Sequence, residues 1–316
     1  LPTGSRSALE FVTSLPGVNT PGGSRDSTIN GLPQSAINIT IDGISAQDNH
    51  LKTSDGFFSR VSPRLDAMEE VTVSSAAQDA ASTGQGAVQI RFVTRSGSNT
   101  YTGSGYYYLR HYKLDANSWF NNRSGVPKDQ DVLYQPGARL GGPIIIPGLY
   151  NGRNKAFFFV NYEESRSPGQ NSENRTVLHP LAEQGIFRYL VGSQVREVNL
   201  LQLAAQNGHI STIDPTISRL LADIRSSVSG GPLRDLSNPL HQEFRYQFDS
   251  EGLTRYPTVR LDYNLTDKHR LSGSVNYTDL LSTPDTTNNR EPQFPGFPNT
   301  GNQHSDRYTA QINLRS

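Results

Sequence analysis

The sequence has no cysteine, one methionine and one tryptophan in 316 residues. Without thiols, disulfide scaffolds, cysteine nucleophiles and thiolate zinc sites are excluded. Charge of one sign is also missing: 29 basic side chains meet 29 acidic ones. That balance argues against a nucleic-acid partner, which needs a basic face. No stretch approaches the ~20 apolar residues of a membrane-spanning helix. The opening residues Leu1-Pro2-Thr3-Gly4 show no basic-then-apolar leader pattern. The metalloprotease motif HExxH, the serine-hydrolase motif GxSxG and the phosphate-loop GK[ST] are absent, so no catalytic residue, cofactor or enzymatic activity is expected.

What is present is turn-rich and aromatic: 28 Gly, 19 Pro, 14 Tyr and 13 Phe, with only 34% hydrophobic residues. This is a β composition. A polar β-rich chain is compatible with a membrane, because a transmembrane barrel needs apolar residues only at alternate positions.

Two blocks follow along the chain. In the first, Ser7–Leu15 reads as a short helix ended by Pro16 and Gly17. Ile37–Ile41 alternates and stops at Asp42-Gly43, a strand and tight turn. Met68–Val73 and Ala87–Thr94 are further strands. From about residue 100, Tyr101–Arg110, Gly137–Ile146 and Lys155–Glu164 are strand candidates. Later, Val259, Leu261, Tyr263 and Leu265 share one face of a strand, and Leu271, Gly273, Val275 and Tyr277 share one face of the next. Tyr308, Ala310, Ile312 and Leu314 repeat the pattern. Alternation of this kind demands one apolar and one wet surface. Periodicity leaves open whether the apolar face meets a core or lipid. Connection lengths favour lipid: long gaps (about 111–134, 165–255 and 278–305) alternate with short ones, as in an outer-membrane meander. Within the longest gap, Asp214-Pro215 opens a helix over 216–228, and 181–191 and 198–207 also read as helical.

Other residues carry little chemistry. The seven His are scattered, and Asp42, Asp48 and Asp55 match no EF-hand spacing, so no metal is expected. Glu69-Glu70 and Glu163-Glu164 are adjacent on strands, which turns each pair to opposite faces. Gly141-Gly142-Pro143 reads as a bulge or bend.

An ordered set of phrases is distinctive: LPGV (15–18), ITIDGI (39–44), MEEVTV (68–73), GAVQIRFVTRSGSN (86–99), GSGYYYLR (103–110), DANSWF (115–120), GGP (141–143) and KAFFFVNYE (155–163). Together they resemble the plug and first barrel strands of TonB-dependent outer-membrane receptors, particularly the large Oar-like type. The resemblance implies an α+β plug domain (1–98) followed by antiparallel β-strands of an incomplete transmembrane β-barrel (99–316). It implies import of a scarce solute such as a siderophore, carbohydrate or peptide, in the outer membrane of a Gram-negative bacterium. The implied partners are outer-membrane lipid, a TonB-type energy-coupling protein and an external ligand. A 22-stranded barrel requires about 220 residues of strand before any loop, more than follow residue 100. A fragment, lacking the coupling motif and most of the barrel, is therefore expected. The rival reading is a surface adhesin or secreted β-rich assembly subunit.

Site expectations follow. The plug loops Thr20–Asp26 and Ala46–Phe58 are candidates for ligand contact, with Arg25, Asp26, Asp48, Asn49, Asp55 and Phe57 named. Arg91, Arg95 and Arg110 are expected to ion-pair plug with barrel wall. Tyr107, Phe158 and Tyr162 are assigned to the aromatic girdle at the membrane interface.

Overall fold

A computed structural model describes residues 6–22, 24–48, 50–75, 88–117, 119, 128, 130, 132–231 and 233–316. The chain forms two compact units. The first comprises Leu1–Ser167, Gly252–Leu281 and His304–Ser316; the second comprises Pro168–Glu251 and Ser282–Gln303.

The N-terminal part of the first unit is a small mixed fold. Helix α1 (Leu9–Val12) buries Leu9 and Val12. Strands β1 (Val18–Asn19) and β2 (Thr28–Ile29) form a two-residue ladder. Strands β3 (Ile37–Ile41), β4 (Ile44–Ser45), β5 (Met68–Ser74) and β6 (Val88–Thr94) make a sheet in the order β4-β3-β6-β5. Pairing of β3 with β6 is parallel, while β5 with β6 is antiparallel. The turn between β3 and β4 puts Asp42 at φ 50° and Gly43 at φ 89°. Positive φ at both central residues is what a two-residue hairpin requires, and Asp-Gly is suited to it. Ile37, Ile39, Ile41, Val88, Ile90 and Phe92 bury one face of the sheet, joined by Phe57, Val61 and Met68.

A second, antiparallel sheet follows. Its strands are β7 (Thr102–His111), β8 (Val132–Pro143), β11 (Ala156–Leu178), β15 (His241–Arg255), β16 (Thr258–Asn264), β17 (Arg270–Thr283) and β18 (Gln303–Arg315). A short ladder of β9 (Ile145–Ile146) and β10 (Tyr150–Asn151) closes the β8–β11 connection. The sheet order is β14-β15-β17-β16-β11-β8-β7, with β14 being Leu233–Asp235 and β18 pairing β17. β15 and β16 are one chain direction interrupted at Tyr256-Pro257; proline has no N–H for the ladder. Long and short connections alternate, as the sequence leads one to expect.

Several expectations change. The glycine-rich stretch of β8 is not a bulge: the ladders to β7 and β11 run through it without a register shift. A side chain at Gly142 would collide with the Tyr101 ring, so the small residues make room rather than bend the strand. The gap expected at 165–255 is narrower, because β11 continues to Leu178 and pairing resumes at His241.

In the second unit, the helix expected over 181–191 is instead helix α2 (Pro180–Glu183) followed by a hairpin. That hairpin pairs β12 (Ile186–Val191) with β13 (Gln194–Asn199) around Gly192 at φ 64°. A six-residue apolar run is ambiguous in period, and pairing with β13 decides it. Helix α3 (Leu200–Gln206) is shorter than expected, since 198–199 belong to β13. Helix α4 (Pro215–Val228) matches its signals: the Asp214 side chain accepts from the N–H groups of Thr216 and Ile217. Val177, Val228, Phe244, Tyr246 and Phe248 form this unit's core.

Candidate functional site

On its later strands, the large sheet of the first unit is apolar where it is exposed and polar where it is buried. On β16, Val259, Leu261 and Tyr263 are exposed, whereas Thr258 and Asp262 are buried. On β17, Leu271 and Val275 are exposed, whereas Ser274, Asn276 and Thr278 are buried. Leu261 is 53% accessible and Ile312 on β18 is 82% accessible. The register aligns these residues across strands: Val160 opposes both Leu140 and Val259, and Val259 opposes Val275. A contiguous apolar face of that size is incompatible with water and matches a lipid-facing band. The residues assigned to the girdle, Tyr107, Phe158 and Tyr162, all lie on this face. Tyr107 and Tyr162 are exposed, and Phe158 contacts the Tyr101 ring at 6.4 Å.

The band has charged borders. Beyond Tyr162, Val259, Tyr277 and Tyr308 come Glu164, Arg255, Asp279, His304 and Asp306. At the other end, Lys268 lies in the turn after Leu265, and Lys155, Arg270 and Arg315, next to Ala156, Leu271 and Leu314, take the opposite, wet phase. The second border carries the short connections, which in outer-membrane barrels are the periplasmic ones.

The opposite, polar face of the sheet receives the N-terminal fold. Glu163 projects inward from β11 and is wholly buried, while Glu164, its neighbour, lies within 3.8 Å of Arg255 on the lipid-facing side. Arg64 donates Nε–H to Glu163 Oε1 at 2.8 Å, and its Nη2 contacts the same oxygen. Arg6 donates to Glu163 Oε2 at 3.3 Å, and the Tyr106 hydroxyl donates to that oxygen at 2.8 Å. Asp66 accepts from Arg6 and lies 3.9 Å from Arg139. Arg6 stacks over Tyr106 and Tyr108, and Arg64 over Tyr256. Burial alone would lower the Arg6 pKa; the carboxylates of Glu163 and Asp66 outweigh it and hold the guanidinium above its ordinary value.

A second cluster centres on Asp42 in the β3–β4 turn. Its carboxylate accepts from the Thr94 N–H (2.8 Å), the Thr94 hydroxyl (2.7 Å) and the Ser274 hydroxyl of β17 (2.6 Å). Arg260 of β16 donates to the Thr94 carbonyl at 2.7 Å and forks onto Asp262 at 3.0 and 3.2 Å. Close backbone approach completes the junction, since a Cβ at Gly97 would collide with the carbonyl oxygens of Phe158 and Gly142.

The arginines named from sequence stand elsewhere. Arg95 ion-pairs with Glu69 of the neighbouring plug strand β5 at 3.3 Å, and Arg110 with Asp115, five residues on, at 3.2 Å. Arg91 lies on the exposed phase of β6. Among the described residues, Arg6, Arg64, Arg139 and Arg260 make ion pairs between the two folds. The signal that would have found them was the inward phase of β11 and β16, which places Glu163, Arg260 and Asp262 on the wet face.

The ligand candidates are partly gathered. Arg25 pairs with Asp55 at 2.9 Å and stacks over Phe58 at 3.9 Å. Gln34 ties the two loops, donating to the Arg25 carbonyl at 2.6 Å and accepting from the Gly56 N–H at 3.3 Å. Asp26 is exposed nearby in sequence. Asp48 pairs with Arg60 at 2.7 Å instead, and Asn49 lies outside the described residues. Phe57 is corrected: at 2% accessibility it fills the core, and Phe58 is the ring turned toward Arg25 and, at 5.7 Å, Arg307. Adjacent residues take opposite sides, and the apolar core claims the first.

His304 also gains neighbours that sequence spacing hides. It lies 3.1 Å from Asp279 and 3.6 Å from Asp306. Among the described residues this trio brings its ligand atoms within 4.8 Å of one another. Arg255 already holds Asp279 at 2.8 Å, and the Tyr277 hydroxyl donates to Asp306.

Comparison with known families fits this arrangement. The TonB-dependent receptor plug domain model matches residues 2–89. The outer membrane beta barrel domain model matches residues 93–314, more than half of the chain. The chain belongs to the TonB-dependent receptors. Its N-terminal fold is the plug, its large sheet is barrel wall, and its place is the Gram-negative outer membrane. No curated protein matches. Among solved structures, it is similar to a double mutant of the Serratia marcescens hemophore receptor HasR, in complex with its hemophore HasA and heme. Identity is 11%, coverage is 98% of this chain and 44% of that one, and the TM-score is 0.26. The chain thus spans less than half of that receptor's length.

Proposed function

We propose that this receptor binds a scarce external solute, of the siderophore, carbohydrate or peptide class, and admits it when the plug is displaced by a TonB-type energy-coupling protein. It acts by binding and gating rather than catalysis. The observation that carries the reading is the chemistry of the plug seat. Glu163 and Asp42 hold the plug to the wall through ions and hydrogen bonds, with aromatic rings serving as cation platforms. Such a surface stays compatible with water when it opens, unlike an apolar core. The coupled loops of Arg25, Asp55 and Phe58 offer a cation, a carboxylate and a ring to an external ligand.

The test is uptake by cells carrying the full-length receptor, with and without a proton-motive-force uncoupler, across solutes of the three classes. Uptake of one class that collapses on uncoupling is expected, and R25A/F58A is expected to weaken binding of that solute. Uptake indifferent to the uncoupler, or no binding of any class, overturns the proposal.

A further inference from the structure

The apolar phase of β17 and β18 ends in charge at the border that carries the long connections. Past the rings of Tyr277 and Tyr308, the same phase continues as Asp279 on β17 and as Asp306 and His304 on β18, and the two strands are paired. Asp279 is half-buried, and His304 and Asp306 are exposed. The ring nitrogen Nε2 of His304 lies 3.1 Å from Asp279 Oδ1 and 3.6 Å from Asp306 Oδ1. All three atoms lie within 4.8 Å of one another, a span that rotation of exposed side chains closes.

Two neighbours orient the carboxylates from outside. Arg255 donates to Asp279 Oδ2 at 2.8 Å, which leaves Oδ1 turned to the ring, and the Tyr277 hydroxyl donates to Asp306. Outer partners of this kind fix ligating carboxylates in metal sites. Arg255 also lies 3.8 Å from Glu164, so this patch sets three carboxylates against one guanidinium and an imidazole. Nε2 carries either one proton or one lone pair, so a hydrogen bond from it serves one carboxylate well and not both. A metal ion accepts a lone pair from all three atoms. Bonds of about 2.0–2.2 Å place tetrahedral ligand atoms about 3.4 Å apart, close to the 3.1 and 3.6 Å found here.

We infer that His304 Nε2, Asp279 Oδ1 and Asp306 Oδ1 bind one divalent transition-metal ion of the zinc class, with a further coordination position open to solvent. One imidazole nitrogen, two carboxylate oxygens and an open position make a zinc-type donor set. Magnesium and calcium take oxygen ligands and gain nothing from the imidazole. The ion ties β17 to β18 at the end where their long connection departs.

The experiment titrates Zn²⁺, Ca²⁺ or Mg²⁺ into untagged, chelator-stripped full-length receptor in detergent by isothermal titration calorimetry. One zinc site is expected, weakened about 100-fold or more in H304Q and in D306N, with Ca²⁺ and Mg²⁺ held far more loosely. Both variants change exposed side chains and are expected to keep the thermal melt of the metal-free receptor. H209Q, which removes an exposed histidine of the second unit, is expected to keep the zinc site. Absence of a zinc site, unchanged zinc affinity in H304Q or D306N, or loss of the site in H209Q overturns the inference. Calcium or magnesium held as tightly as zinc also overturns it.

Discussion

Arg64 of the plug and Glu163 of the barrel wall are bonded at 2.8 Å in a place where the carboxylate has no contact with solvent. Ninety-nine positions separate them in sequence. A buried carboxylate stripped of water requires compensation, and two guanidiniums and a phenol supply it. The pair therefore fixes where the plug sits.

Removing the charge should release the plug. Glu163→Gln leaves Arg64 buried without its counterion and Arg6 with Asp66 alone, at a cost of about 3–5 kcal/mol to plug seating. Limited proteolysis of the plug in detergent should accelerate accordingly. A double-mutant cycle with Arg64→Met should show strong coupling, and additive effects would count against the pairing.

The exposed apolar face should behave as a lipid face. Val275→Arg, near the middle of the band, is expected to cost about 2–4 kcal/mol on folding into bilayers. Val275→Leu should cost little. Equal folding yields for the arginine and leucine variants in lipid vesicles would refute a bilayer-facing Val275.

Two glycines should respond differently. At Gly97 a Cβ would strike the carbonyls of Phe158 and Gly142, so Gly97→Ala is expected to destabilise by about 1–3 kcal/mol, as overpacking does. A Cβ at Gly105 meets nothing within 4 Å, so Gly105→Ala should be tolerated. Thermal melts of the two variants make the comparison.

The Asp48 loop should depend on acid. Hydrogen bonds from Arg60 and from the His50 N–H hold the Asp48 carboxyl below its ordinary pKa. With the folded value depressed, the interaction is fully present above about pH 4, the unfolded range. It is lost as pH falls through the lower folded value. Carboxyl NMR titration should show the low midpoint, and Arg60→Ala should move it upward.

Much of this was legible in the chain. Thr258–Leu265, Arg270–Tyr277 and Arg307–Arg315 declare their strands because a sheet with one dry and one wet face imposes a period of two. Asp42-Gly43 declares its hairpin because few dipeptides accept positive φ twice. Asp214-Pro215 declares its helix start. Where the pattern lost its period, the reading failed. β11 runs on past Glu164 through polar residues on both faces, and β12 is a short apolar run that only its partner β13 makes a strand.

The sequence by itself determined which residues face which way along each strand and where turns close. Those properties are local, set by side-chain period and backbone torsion. Tertiary structure alone decided that the apolar phase faces outward, that Phe57 is core while Phe58 is surface, and that Arg6, Arg64 and Arg260 meet their carboxylates across the plug and the wall. Each of these depends on what a side chain meets across a long stretch of chain. A buried carboxylate takes the guanidinium that the fold brings to it.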